Sequence, residues 1–301
     1  MKDNAQAMVL ASLAADALAL GAHWIYDTDK IVREIGRVEH LLAPPSGSYH
    51  PGKGRGDFTH YGDQTMILLQ SLAATGEFSL DDFAARWRRF AATTSAYLDR
   101  ATKESLARFD QGATPANSGS PSTDLGGPAR IAPMVYRYRD DLGTLLAAAG
   151  AQTAMTHAGP GVADSTAFIA RTAYSVLHGV PPAEAVAAAV DAGVGEIDLD
   201  LRLRKAIDSG DRESLAVIKE FGQMCASNAA LPGAVHFIVR YGMDLREALI
   251  ENVMAGGDSA ARGMVIGMIL GAAGGMAAIP EDWLQNLTAA AEIRRCLDQI
   301  G

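Results

Sequence analysis

The sequence predicts an all-α protein that is built from many short helices. Apolar residues recur at spacings of three and four along most of the 301 residues, which is the period of an amphipathic helix. Alternating runs rich in Val, Ile and Thr, which would indicate strands, are nearly absent. Only 6% of the residues are aromatic, so small Ala and Gly side chains are expected to let the helices pack closely. No shift in composition marks a linker, and we predict one domain over residues 1–301.

The predicted helices follow from this periodicity and from the Gly, Pro and Ser clusters that interrupt it. They span residues 4–22, 27–36, 63–75, 79–110, 127–137, 140–155, 163–178, 182–193, 211–225, 231–241, 244–254, 258–277 and 281–299. The first is apolar enough to resemble a signal sequence, but Asp16 lies in its middle. The stretch 263–278 is long, apolar and dominated by Gly and Ala. We expect both to be buried core helices rather than membrane spans.

Three segments between these helices are predicted as loops with a role in binding. Residues 38–62 are rich in Pro, Gly and Ser, residues 111–126 in Ser, Gly, Pro and Asn, and residues 156–162 contain Gly159-Pro160. Long loops are uncommon in compact domains unless they bind something. We therefore expect these loops to contribute to a functional site, although residues 122–127, with Asp124, could equally form only a turn and a helix cap.

The charge balance disfavours nucleic acid as the main partner. The chain has 26 Lys and Arg against 35 Asp and Glu, which gives a net charge of -9. A basic stripe that could neutralise a phosphate backbone is missing. We expect neither a nucleic-acid nor a membrane partner. The two cysteines, Cys225 and Cys296, cannot form a disulfide network, which favours a reducing cytoplasm.

Two similar helix starts are the most informative feature of the sequence. Gly62-Asp63-Gln64-Thr65 and Gly256-Gly257-Asp258-Ser259 each place oxygen-rich side chains at the N-terminus of a predicted helix. Each Asp could simply cap its helix, an interaction worth about 0.5–2 kcal/mol. If the two starts converge in space, their oxygens would instead form a site for a hard cation or a polar ligand.

Further candidates lie near the first predicted helix. Asp16 has apolar neighbours, so it needs donors or a cation if it is buried, although it could also face solvent. His23 and Tyr26 belong to a segment whose composition suits the binding of a ring or a ribose, or equally the packing of a core. In the loop that follows, Lys53 could hold an anionic group, unless this loop is only a polar surface.

These segments, in this order and spacing, resemble the ADP-ribosylglycohydrolase family. The matching segments are 15–19, 62–65, 129–133, 156–157 and 256–261. The resemblance implies a compact many-helix fold and a site for two magnesium or manganese ions. It assigns the metal ligands to four residues of the two helix starts, which are Asp63, Thr65, Asp258 and Ser259.

The departures from the family pattern concern the same metal ligands. One motif carboxylate has become Gln64, and an Asp-Thr pair has become Ala260-Ala261. Two carboxylates would compensate the four positive charges of two divalent ions poorly. We therefore expect the dinuclear centre to be lost or reduced to one weakly bound ion. No organic cofactor is expected. His23 stands where the family has an acid, which changes the expected proton chemistry.

The resemblance and the residues together predict a hydrolase that cleaves an N- or O-ribosyl or related glycosidic bond in a small molecule or an ADP-ribosyl conjugate. The predicted catalytic residues are Asp63, Asp258 and His23. The predicted substrate-binding residues are Asp16, Tyr26, His50, Lys53, His60, Tyr61, Asp124, Arg130 and His157. The alternatives are a non-catalytic ligand-binding or crystallin-like structural protein on the same fold, and a lyase or isomerase that acts on a modified sugar.

Overall fold

The computed structural model describes residues 1–301 and is all-α, as the periodicity predicts. It has seventeen α-helices, two short 3-10 helices (Leu20–Ala22 and Met276–Ala278) and no β-strand. The α-helices are α1 Lys2–Ala19, α2 Thr28–Glu34, α3 His60–Thr75, α4 Leu80–Thr93, α5 Arg100–Asp110, α6 Gly126–Ala129, α7 Ala132–Arg137, α8 Leu142–Ala154, α9 Val162–Leu177, α10 Pro182–Asp191, α11 Ile197–Ile207, α12 Ser214–Phe221, α13 Ser227–Tyr241, α14 Leu245–Met254, α15 Ser259–Gly274, α16 Glu281–Asn286 and α17 Ala290–Ile300.

Helices α1 and α15 form the centre of the protein. A Cβ atom added to Gly267 would lie 2.5 Å from the carbonyl oxygen of Ala11, and one added to Gly271 would lie 2.6 Å from the Cβ of Ala11. Only glycine therefore allows this close approach of the two helices. With its 3-10 extension, α1 is long and apolar enough to cross a membrane, but 94% of its apolar window is buried inside the protein. It is a core helix, as predicted.

This packing places the end of α1 beside the start of α15. Around the pair, one cluster of 81 buried residues includes side chains from both ends of the chain. Trp87 of α4 and Trp283 of α16 are the largest of the fully buried side chains. The indole nitrogen of Trp283 donates to the carbonyl of Glu39 at 2.8 Å, which fixes the C-terminal helices against the first long loop.

Several predicted helix boundaries were wrong. The helix predicted over 79–110 is two helices, because α4 ends at Thr93 and Asp99 caps α5 by accepting from the amide of Thr102 at 2.6 Å. Amphipathic periodicity on both sides hid this break. Helix α3 begins three residues earlier than predicted, with Thr59 as its N-cap. Helix α13 begins at Ser227 rather than 231.

Other differences lie in the C-terminal half. Helix α11 was missed because its face is dominated by charged residues, which pair at a spacing of four: Arg202 with Asp198 and Arg204 with Asp200. The helix predicted over 211–225 spans only Ser214–Phe221. Its end is set by Gly222, whose φ of 105° is unfavourable for other residues. The helix predicted over 281–299 is interrupted at residues 287–289.

Candidate functional site

The two helix starts singled out in the sequence lie together. Asp258 is the N-cap of α15, and Tyr61 is in the first turn of α3. The hydroxyl of Tyr61 donates to Oδ2 of Asp258 at 2.6 Å. A Cβ atom on Gly126 would lie 2.5 Å from the Tyr61 ring, so the absence of a side chain there makes room for the phenol. The starts of α3 and α15 are thus joined by a direct hydrogen bond.

Asp258 also begins a chain of two imidazoles. Nε2 of His23 lies 3.0 Å from Oδ1 of Asp258, and Nδ1 of His23 lies 2.8 Å from Nε2 of His50. An ionised carboxylate can only accept, so His23 donates from Nε2 and accepts at Nδ1 from His50. This arrangement leaves Nδ1 of His50 with a free lone pair.

The electrostatics of this chain favour a charged carboxylate and neutral imidazoles. Burial would raise the pKa of Asp258, but hydrogen bonds from His23 and Tyr61 lower it to about 2. Burial lowers the pKa of His23 and, together with neighbouring imidazoles, lowers the pKa of His50 to about 3. At neutral pH, the chain therefore carries one negative charge and two uncharged rings.

The backbone around Trp24 holds these groups in place. The amide of Trp24 donates to the carbonyl of Gly257 at 3.0 Å, and the amide of Gly257 donates to the carbonyl of Ile25 at 2.9 Å. Trp24 has a φ of 64°, which is rare for a residue with a side chain. Gly257 has a φ of 69°, and a Cβ there would overlap the backbone of Gln223. The reciprocal hydrogen bonds stabilise this unusual backbone.

Three aromatic side chains surround the imidazoles. The ring of Trp24 stacks on His23 at 4.3 Å between centroids. Tyr49 and Tyr97 contact Trp24 edge to face at 5.2 Å and 5.1 Å. Tyr49 lies in the loop over residues 38–62 that was predicted to contribute to the site, whereas Tyr97 was missed. Tyr97 lies in the break between α4 and α5, and Thr94-Ser95, which favour turns, were the signal that could have revealed it.

A third imidazole lies at the edge of this cluster. His60 packs on Tyr61 at 3.8 Å between ring centroids, and its Nε2 lies 3.4 Å from a carboxylate oxygen of Asp99. Burial would raise the pKa of Asp99, but the contact with His60 holds it well below its usual range. Asp99 was also missed, because it lies within the helix predicted over 79–110.

Asp16 binds the residue that precedes α3. It is fully buried and accepts from the amide and the hydroxyl of Thr59 at 2.8 Å and 2.5 Å. Burial raises its pKa to about 6, although both hydrogen bonds oppose this shift. A Cβ atom on Gly62 would overlap Oδ2 of Asp16. A residue with a side chain at position 62 would therefore displace Asp16.

Asp63, the acid of the first helix start, is paired with a lysine. Nζ of Lys53 lies 2.7 Å from both carboxylate oxygens of Asp63. The side chains are only 17% and 14% exposed. Burial raises the pKa of Asp63 despite the opposing charge of Lys53. In the structure the ammonium of Lys53 pairs with Asp63, whereas the sequence predicted that Lys53 could hold an anionic ligand.

Gln64 faces the core. Its side-chain oxygen accepts from the indole of Trp87 at 2.9 Å and from the guanidinium of Arg130 at 2.8 Å. Arg130 also donates to the hydroxyl of Thr156, which in turn contacts Nδ1 of His157 at 2.8 Å. Arg130 and His157 are almost completely buried. They belong to a separate buried hydrogen-bond network, and neither forms a hydrogen bond with His23 or His50.

Two predicted residues lie near the cluster on other segments. Tyr26 is half-exposed, and burial together with Asp258 raises its pKa to about 12. Asp124 is partly buried, and burial raises its pKa. The segment that carries it is held by a backbone hydrogen bond of 2.8 Å from Leu125 to Cys225. Cys225 is a free thiol.

The side chains at the two helix starts do not fit a dinuclear metal centre. No three His, Cys, Asp or Glu side chains are arranged so that they could hold a metal ion. The hydroxyl of Thr65 donates to the carbonyl of Tyr61 at 2.9 Å. Ser259 has a buried hydroxyl with no partner, and Ala260 offers no side-chain oxygen. Asp258 is already engaged by the donors described above.

The sequence profile of the ADP-ribosylglycohydrolase family matches residues 1–301. The chain belongs to this family. A solved structure described as an ADP-ribosylglycohydrolase-related protein complex has the same fold, with a TM-score of 0.75 at 23% sequence identity. That match covers 99% of this chain and 97% of the other.

Relatives of the family come from distant organisms. An uncharacterized protein of Archaeoglobus fulgidus is 26% identical over 95% of this chain and 92% of its own length. Crystallin J1A of Tripedalia cystophora is 23% identical over 100% and 97%. ADP-ribosylhydrolase ARH3 of Mus musculus is 24% identical over 87% and 81%. The proteins that resemble this chain thus include one named as an enzyme and one named as a crystallin.

Proposed function

We propose that this protein hydrolyses an N- or O-ribosyl or related glycosidic bond in a small molecule or an ADP-ribosyl conjugate, without a dinuclear metal centre. Membership of the ADP-ribosylglycohydrolase family supports the glycohydrolase class. The observation that carries the proposal is the chain of hydrogen bonds from Asp258 through His23 to His50. A carboxylate that orients an imidazole is a common way to prepare a general base.

In the proposed reaction, His50 is the base. Its lowered pKa makes it a weak base in the resting site, so it accepts the proton only as the water oxygen becomes more acidic on bonding to the anomeric carbon. Nδ1 of His50 takes a proton from water, and the water oxygen attacks the anomeric carbon as the glycosidic bond breaks. The imidazolium that forms is stabilised through His23 by the negative charge of Asp258. His23 then acts as a positioning residue rather than as the base, because both of its ring nitrogens are already hydrogen-bonded.

The leaving group needs a proton, and we assign this step to Asp124. Burial raises the pKa of its carboxyl, which favours the protonated form that an acid catalyst requires. Asp124 also interacts electrostatically with Asp258, which accounts for part of this rise. After the reaction, solvent carries the proton from His50 back to Asp124, so that the cycle is balanced.

The experiment is a screen of nucleosides, dinucleotides and ADP-ribosylated peptides, with products measured by chromatography. His50→Gln, Asp258→Asn and Asp124→Asn are each expected to lower kcat by at least about 100-fold, with unchanged helical circular dichroism. Wild-type turnover in His50→Gln would remove His50 from the mechanism.

Two control variants match these substitutions. Asp244 caps α14 by accepting from the amide of Glu247 at 3.0 Å, as Asp258 caps α15, but it is exposed. His178 is an exposed histidine at the C-cap of α9. Asp244→Asn and His178→Gln are expected to keep full activity, which separates loss of the site from loss of a cap or of an imidazole.

The second candidate is a ligand-binding or structural role without turnover, which the similarity to Crystallin J1A favours. A compound from the same screen that raises the melting temperature without being cleaved would support it. The ligand-binding form of this candidate implies a small ribosyl or glycosyl ligand, as the hydrolase does. The free thiols of Cys225 and Cys296 are compatible with the cytoplasmic location that we propose.

A further inference from the structure

The ion pair between Lys53 and Asp63 is placed where the family resemblance implies a metal ion. Asp63 is the one carboxylate that remains in the first motif, and both of its oxygens are 2.7 Å from the same ammonium group. A ligand that binds both oxygens of a carboxylate in this way occupies the position that a hard cation would take.

The loop that carries Lys53 is fixed on both sides. On the N-terminal side, the amide of Lys53 donates to the carbonyl of His50 at 3.4 Å. After it, the amide of Gly54 donates to Asp57 at 2.7 Å, and the carbonyl of Gly56 accepts from Thr288 of the C-terminal region. A Cβ atom on Gly56 would overlap the backbone of Asn286. These contacts anchor the backbone from which Lys53 reaches Asp63.

The Lys53 ammonium is the positive charge that compensates Asp63 and the acids near it. Asp57 and Asp16 both act on the carboxylate of Asp63 as like charges. Lys53 is the only lysine or arginine that forms an ion pair with Asp63. Removing the positive charge of Lys53 would leave a mostly buried carboxylate without compensation, which is costly.

We propose that Lys53 is a built-in cation that takes over the position and the electrostatic role of a metal ion at Asp63. Of the three N–H groups of the ammonium, two point at Asp63, so the third is free to donate to an oxygen of the substrate. This inference builds on the proposed hydrolase site, but it is tested without a substrate, so its failure and the failure of the proposed function are distinguishable.

The test compares how divalent cations affect the melting temperature of the full-length wild type and of Lys53→Ala. Mg²⁺ and Mn²⁺ are compared with Na⁺ at matched ionic strength. The wild type is expected to show no specific response. Lys53→Ala is expected to melt about 4 °C lower, because it loses one mostly buried ion pair, and to recover at least about half of this loss with Mn²⁺.

Calorimetric titration with Mn²⁺ supplies a second measurement. Lys53→Ala is expected to bind one ion at least about tenfold more tightly than the wild type, since only the variant leaves the carboxylate unpaired. The double variant Lys53→Ala with Asp63→Asn should lose the gained site, which locates the ion at Asp63. Lys53→Gln, which keeps the length of the side chain without its charge, serves if the alanine variant does not fold.

Lys30→Ala is the matched control. Lys30 forms an exposed ion pair with Glu34 at 3.9 Å, so its loss should change neither the melting temperature nor the response to Mn²⁺. Tight binding of Mn²⁺ by the wild type would overturn the proposal. So would the absence of any gain in both Lys53 variants, because Asp63 would then not be a cation site.

Discussion

The buried carboxyl of Asp16 leads to a quantitative prediction about pH and stability. Its pKa is about 6 in the folded protein, against a reference value of 3.8. A raised pKa stabilises the folded state fully below the unfolded-state value, and this contribution is lost as the pH rises through about 6. Over the whole range the loss is about 3 kcal/mol, since one pKa unit corresponds to about 1.4 kcal/mol.

The perturbation is Asp16→Asn, which keeps the shape of the side chain and removes its titration. Any change in the hydrogen bonds from Thr59 gives an offset that does not depend on pH. The free energy of unfolding of the variant, minus that of the wild type, is therefore expected to increase by about 1.4 kcal/mol between about pH 5 and about pH 8. Taking this difference cancels the contributions of groups that titrate equally in both proteins.

Chemical denaturation followed by circular dichroism measures this difference at each pH. Asp244→Asn is the control, because that residue is an exposed cap and should give a flat difference. A flat difference for Asp16→Asn as well would refute the reasoning, since it would mean that burial does not raise the pKa of Asp16.

Two further substitutions test the packing beneath the site by the same denaturation assay. Gly62→Ala is expected to cost about 1–3 kcal/mol, because its Cβ would overlap Asp16, whereas Gly150→Ala, with open space around it, should be neutral or stabilising; equal effects of the two would contradict the overlap. Gln64→Leu is expected to cost about 3 kcal/mol or more, because it leaves a buried donor of Arg130 without an acceptor; an unchanged free energy of unfolding would show that this network contributes nothing.

The fold class and the two helix starts could be predicted from the sequence, because each depends on a local signal, whereas the sequence left open whether the two starts meet. Periodicity identifies helices, and an Asp after glycines identifies a helix start such as that of α15. The burial of Asp16 was predictable for the same reason, since its neighbours along the helix are apolar. These features need no knowledge of which distant segments pack together.

The rest depends on tertiary contacts. Lys53 and Asp63 are ten residues apart, but only the anchored loop brings the ammonium onto the carboxylate. The inward orientation of Gln64 follows from donors on α4 and from Arg130, which no local pattern connects. Tyr97 reaches the imidazoles because the chain bends between α4 and α5. Because the amphipathic periodicity continues on both sides of the bend, the sequence predicted one helix here instead of two.

The hydrogen bond between Tyr61 and Asp258 has a consequence for how the site is assembled. It connects two segments that are 197 residues apart in the chain, and it uses only atoms that the polypeptide itself supplies. The cross-link between the first and the last third of the molecule can therefore form during folding, whatever ions the surroundings provide. Newly synthesised chains would reach a preorganised site without a maturation step.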